Sequence, residues 1–181
     1  DYGDMFMPPD SATWADPDVA GGGYGFSQMS HSIGMALWIT GLSPRRVGAM
    51  TSAPASRVEL YDAMMVEFDN GVIGSFSGAA TIPADRNFQL DVRVFGSEGV
   101  LSLDIERARL QVLRDDGDHY ESDLPADAGA YECDGPPNNF VDLILGKTQE
   151  NNAPGIVGMK AIELVDAAYR SVASGGGPVD V

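Results

Sequence analysis

Two strand-like runs, Leu60–Phe68 and Val72–Ala80, are joined by Asp69-Asn70-Gly71. An Asn-Gly pair between such runs favours the tight turn of a β-hairpin. A hairpin of this kind constrains the fold more than any other stretch, because it fixes a register and decides which side chains share a face. Tyr61, Ala63 and Met65 stand opposite Ile73, Ser75 and Ser77, a mixed face that either meets water or packs on a second subunit.

The strand signal continues downstream. Phe88–Phe95 places Phe88, Leu90, Val92 and Val94 on one face and Gln89, Asp91 and Arg93 on the other. Ser97-Glu98-Gly99 turns the chain into Val100–Ile105, and Arg109–Arg114 and His119–Asp123 form a hairpin around Asp116-Gly117. "SPRRVGAMTS", upstream, reads as a short strand. Helical spacing marks Tyr24 to about Thr40, through Phe26, Met29, Ile33, Ala36 and Leu37, with Gly41 as the stop. It returns in Asn138–Leu145 and Ile156–Ser174, where Ile162, Val165, Tyr169 and Val172 form an apolar stripe that Gly175-Gly176-Gly177 ends. Asp1–Ala20, broken by Pro8, Pro9 and Pro17, and Pro125–Pro136 read as loops. Helix, antiparallel strands, then helices predict an α+β fold: an open, mostly antiparallel sheet with helices packed on one face. The chain divides into a loop over residues 1–20 and one domain over residues 21–181.

A length of 181 residues suits a single domain with a sizeable core. Asp and Glu number 27 against 11 Lys and Arg, a net charge of −16 that repels phosphate backbones and anionic lipid. Nucleic acid and membrane are therefore excluded as partners. One cysteine, Cys133, allows no internal disulfide and suits a reducing, cytoplasmic compartment. No apolar run is long enough to span a bilayer and no signal peptide opens the chain. A start at Asp1 rather than Met is expected of a piece processed or excised from something longer.

Several motifs fail on inspection. No glycine cluster fits G-x-G-x-x-G, since Phe26 stands where the last glycine belongs and no strand precedes it. Gly146-Lys147-Thr148 mimics the end of a phosphate loop, but Val141 replaces its first glycine. Gly25-Phe26-Ser27-Gln28-Met29 approaches the G-x-S-x-G elbow without its last glycine, and no distal His–acid pair supports a serine hydrolase at Ser27. His31, His119 and Cys133 have no metal-ligand spacing, and "RDDGDHYESD" reads as a solvated hairpin tip.

What remains is "GGGYGFSQMSH" and the helix it opens. Ser27, Gln28, His31, Met35 and Trp38 share one helical stripe, and Phe26, Met29, Ile33 and Leu37 another that belongs in a core. His31 is thus either a packed surface residue or a functional group on a partly polar face. The glycines are either a flexible lead-in or a place where Cβ-free backbone lets a ligand or another domain come close.

The segment "WADPDVAGGGYGFSQMSHSIGMALWITG" resembles the opening of the C-terminal domain of the Gfo/Idh/MocA oxidoreductases, which include glucose–fructose oxidoreductase and inositol dehydrogenase. "VELYDAMMVEFDNGVIGSFSGA", "LDVRVFGSEGVLSLD", "NNFVDLILGK" and "GMKAIELVDAAYRSVASGGGPVDV" are similar to the family's later strands and helices, in order. The resemblance implies an N-terminal Rossmann domain for NAD or NADP, lying outside this chain, and an α+β domain that closes over the nicotinamide and holds the substrate. It implies a helix bearing an aspartate and, four residues on, a histidine, acting with a lysine of the Rossmann domain on a substrate hydroxyl. The histidine falls on His31 and the aspartate on Ser27; a glycine position falls on Met29, and a second acidic position on Gly34. Ser27 can orient an imidazole by hydrogen bonding but lacks the charge to stabilise an imidazolium. Gln28 and Ser30 are candidate helpers, Trp14 and Tyr24 candidate substrate-lining residues, and Gly22 and Gly23 candidate points of close approach.

By this resemblance the chain is the substrate-binding and oligomerisation domain of an oxidoreductase acting on a sugar, cyclitol or related polyol. It is expected to be inactive alone, to bind neither NAD nor NADP, and to form a homodimer or tetramer through the sheet face bearing Tyr61, Met65 and Ile73. The alternative is a non-catalytic ligand-binding or assembly module on the same fold, with a decayed site.

Overall fold

A computed structural model of the chain describes residues 13–81, 89–123, 125 and 133–181. The expected loops over residues 1–12 and 126–132, and Phe88 at the start of its strand, lie outside the described residues. The chain forms two compact units, one from Asp1–Asp85 with Gly155–Val181 and one from Arg86–Pro154. In order, the elements are α1 (Pro17–Ala20), a π-helical turn (Gly25–Met29) running into α2 (Ser30–Thr40), β1 (Pro44–Ser52), β2 (Tyr61–Phe68) and β3 (Ile73–Ala79). The second unit holds β4 (Asp91–Gly96), β5 (Gly99–Asp104), β6 (Arg109–Arg114), β7 (Tyr120–Asp123) and α3 (Gly135–Ile144). α4 (Gly155–Ala173) and β8 (Val179–Asp180) return to the first.

The fold class is α+β as expected, with the strands divided between two four-stranded antiparallel sheets. In the first unit the order is β3-β2-β1-β8. The Asn-Gly hairpin forms as its sequence demands: Phe68 donates to the Val72 carbonyl at 2.8 Å, and Gly71 takes a left-handed φ of 81°. β2 alternates strictly, burying Asp62, Met64, Val66 and Phe68 and exposing Tyr61, Ala63 and Met65. Met64, Val66 and Phe68 of that row, with Val47 and Ala49 of β1, pack in one apolar cluster with Met29, Ile33 and Leu37 and with Ala161, Leu164, Val165, Ala167 and Ala168 of α4. Each fully buried leucine or isoleucine in such a core contributes about 1.5–3 kcal/mol. The other face stays open, with Met65 72% and Ile73 81% exposed.

β1 is nine residues long, falls within the stretch its sequence marks, and lies inside the sheet between β2 and β8. β2 pairs with it from Pro44 to Ser52 with a register shift at Arg45, and β8 pairs only with Arg46 and Val47. Where β8 runs out, Ser171 of α4 takes over. Its hydroxyl accepts from the Ala49 N–H at 3.0 Å and donates to the Gly177 carbonyl at 2.7 Å. Gly175 and Gly176, at φ 93° and 86°, end α4 and turn the chain back towards β1.

In the second unit β4–β7 form a meander. Val92 and Val94 pair with Leu103 and Leu101, which pair with Leu110 and Val112, so one face of β4, β5 and β6 is apolar, while β7 adds Ser122 and Tyr120 to it. His119 closes the β6–β7 turn, its Nδ1 accepting from the Arg114 N–H at 3.1 Å. α3 starts earlier than its sequence suggests, at Gly135, because Pro136 and Pro137 fall in the first turn where no backbone N–H is needed.

Ser171 is wholly buried and satisfies two backbone groups of other segments. Ser171→Ala leaves both unpaired, and should lower the unfolding free energy in urea by about 1–3 kcal/mol.

Candidate functional site

The glycine-rich segment threads a space too narrow for side chains. A Cβ on Gly22 would lie 2.3 Å from the Tyr169 hydroxyl, and one on Gly23 would lie 2.2 Å from the Glu59 carbonyl oxygen. One on Gly25 would meet the Tyr169 hydroxyl at 2.9 Å. Groups of the same chain therefore occupy that room, which accounts for these glycines without a ligand.

Glu59, buried just before β2, is the group they approach. Gly23 donates its N–H to both carboxylate oxygens at 2.9 Å, and Gly25 donates to Oε1 at 3.0 Å. The Tyr169 hydroxyl donates to the same Oε1 at 2.5 Å, and the Tyr24 N–H donates to the Glu59 carbonyl at 3.0 Å. An anion held by free amides at a helix N-terminus is favourable in both hydrogen bonding and dipole. The Phe26 ring packs on Tyr169 with centroids 5.2 Å apart, closing the apolar side of the arrangement.

Asp62 occupies the first inward position of β2 and is 4% exposed. Neither carboxyl oxygen has a hydrogen-bond partner. Burial, and then the neighbouring Glu59 carboxylate, push its pKa up to about 7. Burial and Asp62 raise the Tyr24 phenol, and burial with the bond to Glu59 raises that of Tyr169. Two carboxyls and two phenols thus converge where the glycines lead into the helix. No sequence motif marks this group. The available signal was an acid in the inward phase of β2, where Met64, Val66 and Phe68 follow it.

The residues singled out from sequence fall in two places. Ser27, Gln28, Ser30 and His31 lie on consecutive turns of one helix, with His31 exposed and the other three half-buried. Ser27 donates its hydroxyl to the Gly23 carbonyl at 2.9 Å, and Ser30 donates to the Phe26 carbonyl at 2.7 Å, each bonding back one turn. Trp38, farther along α2, and Trp14, before α1, are exposed. Gly22, Gly23 and Tyr24 belong instead to the carboxyl cluster. The Tyr24 hydroxyl lies against Gly78 of β3, where a Cβ would come within 2.4 Å of it.

The site offers an exposed imidazole on a helix whose start is fixed by a buried carboxylate. It does not fit a dinucleotide pyrophosphate, because the Gly23 and Gly25 amides are already engaged by Glu59. Among the described residues, no group of three or more His, Cys, Asp or Glu is placed to hold a metal ion. Among them, too, no helix is long and apolar enough to cross a membrane.

The GFO/IDH/MocA C-terminal domain family model matches residues 1–102. No curated protein matches the chain. Among solved structures, an oxidoreductase domain protein from Kribbella flavida superposes with a TM-score of 0.75 at 18% identity, covering 93% of this chain and 53% of that one. Aldose-aldose oxidoreductase from Caulobacter crescentus, complexed with glycerol, gives 0.72 at 20% identity, over 97% and 53%. Levoglucosan dehydrogenase, complexed with NADH and levoglucosan, gives 0.72 at 22% identity, over 93% and 53%. At these identities the likeness establishes the fold. The chain spans about half the length of each of these structures.

Two glycine substitutions separate close approach from mere flexibility. Gly23→Ala drives a methyl into the Glu59 backbone and should destabilise the protein by about 1–3 kcal/mol or more. Gly34→Ala, in α2 with nothing within 4 Å of the new carbon, should instead stabilise by up to about 1 kcal/mol. Chemical denaturation of the two variants checks both signs.

Proposed function

Because this chain belongs to the GFO/IDH/MocA C-terminal domain family, we propose that it is the substrate-binding half of an NAD(P)-dependent oxidoreductase acting on a sugar, cyclitol or related polyol. The cofactor is bound by the other half of the parent, a Rossmann domain, in keeping with a chain that spans half the length of its structural relatives. Two of those relatives are named for aldose and levoglucosan chemistry, and one was crystallised with NADH, which supports the substrate class and the cofactor. A cytoplasmic setting goes with this reading.

The observation that carries it is His31, exposed at the start of α2 on a helix that Glu59 anchors. Oxidation of an alcohol requires the hydroxyl proton to leave, and a base must stand within hydrogen-bond reach of it. An imidazole suits that task near neutral pH. Ser27, whose proton is committed to the Gly23 carbonyl, keeps its lone pairs and orients the imidazole without adding charge. Gln28 and Ser30 supply polar contacts to substrate hydroxyls, Trp14 an aromatic face for a sugar ring, and Tyr24 holds the helix start. The isolated chain is inactive, since the base has no cofactor to work with.

The second reading, a non-catalytic binding or assembly module, is favoured by one observation: Ser27 and Gly34 stand where the resemblance calls for acids. One substitution separates the two. In the full-length parent, His31→Ala should lower kcat by about 10²–10⁴-fold with folding intact. His119→Ala, at a turn of the second unit, should leave kcat unchanged. A wild-type rate for the His31→Ala parent would favour the non-catalytic module.

The open face of the first sheet carries Met50, Tyr61, Met65 and Ile73, and we assign it to a homodimer or tetramer contact. Light scattering on the purified chain should show more than one subunit, and Met65→Asp should reduce it to monomer. A wild-type monomer at high concentration would remove this assignment.

A further inference from the structure

The carboxyl cluster does more than fill space. Glu59 is the sole side chain shown holding both Gly23 and Gly25, and those two amides set where the chain enters the π-helical turn and α2. Three donors converge on its carboxylate, so its hold is strong as long as its negative charge stands alone. Asp62 threatens that condition, lying three residues away and buried, with no donor on either oxygen. The groups around it are known element by element. The segment before β2 contributes Glu59, the helix lead-in contributes the Tyr24 phenol, and α4 contributes the Tyr169 phenol. Its cross-strand partners are Thr51 of β1 and Gly78 of β3, neither charged. Among the described residues no cation pairs with it.

We propose that Glu59 is the positioning residue of the histidine helix and that the protonation of Asp62 sets how firmly it holds. With Asp62 as a neutral acid, one negative charge faces three donors. When the Asp62 proton leaves to solvent, two like charges share a site with no cation, and opening the segment relieves both their repulsion and the burial of the second charge. The start of α2, and His31 with it, then loosens. The device stands whether or not His31 is a catalytic base, because it is read on the chain itself.

The sign follows from linkage. The Asp62 pKa is raised to about 7 when the cluster is closed and returns towards the ordinary 3.8 when it opens. The closed state therefore binds the proton more tightly. Its advantage is complete below about pH 4, declines as pH rises, and is spent above about pH 7.

Amide hydrogen exchange of the chain, followed by NMR from pH 4.5 to 8.5, tests this at Gly23 and Gly25. Protection should fall by up to about tenfold per pH unit and level off above neutrality. Asp62→Asn, which cannot ionise, should flatten the profile, and Glu59→Gln should give low protection at every pH. The Leu37 amide within α2 should show no such slope in any of them. A flat wild-type profile, or the same slope in Asp62→Asn, overturns the proposal. Should Asp62→Asn fail to fold, the carbon-13 shift of the wild-type Asp62 carboxyl decides. A midpoint near 7 that coincides with the levelling-off of the loss of Gly23 and Gly25 protection upholds the proposal, and a midpoint near the ordinary 3.8, or one apart from that levelling-off, overturns it.

Discussion

A single buried carboxylate organises the glycine-rich lead-in and the helix that follows it. Glu59 gathers two backbone amides and a phenol from segments far apart in the chain. Without it, the glycines before α2 have no reason to adopt one path among many, since glycine loses the most conformational freedom on folding. With it, the glycines become an advantage, because only a backbone without Cβ atoms can come so near an acid and a tyrosine. The donors satisfy the charge and the charge orders the donors. The exposed histidine inherits a fixed base from that exchange.

Around this anchor the first unit is an ordinary sheet covered on one face. Strict alternation in β2 sends Met64, Val66 and Phe68 inward, and the alanines of α4 let the helix lie close over β1. Ser171 shows how such a core handles a polar need, completing the ladder where β8 stops. Asp62 is the contrary case, a polar group inside with nothing to bond. Buried polar groups left unpaired cost stability in most proteins. Here the cost falls beside the site helix, which is where strain can serve a purpose.

The hairpin, the meander and α4 were legible in the sequence because their signals are local: an Asn-Gly turn, period-two alternation and a stripe at helical spacing. The family resemblance was legible from the ordered string of segments. β8 was not, for two residues carry no pattern, and the place of β1 inside the sheet was not, because its partners lie elsewhere in the chain. The histidine helix is legible in its sequence, whereas the groups its glycine lead-in approaches are not. Three glycines suggest freedom, and only the fold reveals Tyr169 and Glu59 pressing on them. Asp62 could have been suspected from its phase in β2, whereas Glu59 and Tyr169 could not, since their meeting spans more than a hundred residues.

The first unit is assembled from both ends of the chain, with the second unit inserted between them. This has a consequence for the order in which the molecule is made. During synthesis β1, β2 and β3 emerge before the second unit, yet the helix that covers them and the tyrosine that completes the Glu59 cluster emerge only after it. The second unit, continuous in sequence, can condense on the ribosome while the first still waits with an apolar sheet face uncovered. Closing so long a loop costs only slowly more entropy as it lengthens, so the finished fold does not suffer. The nascent chain does, and its most vulnerable interval lies between the synthesis of β3 and that of α4.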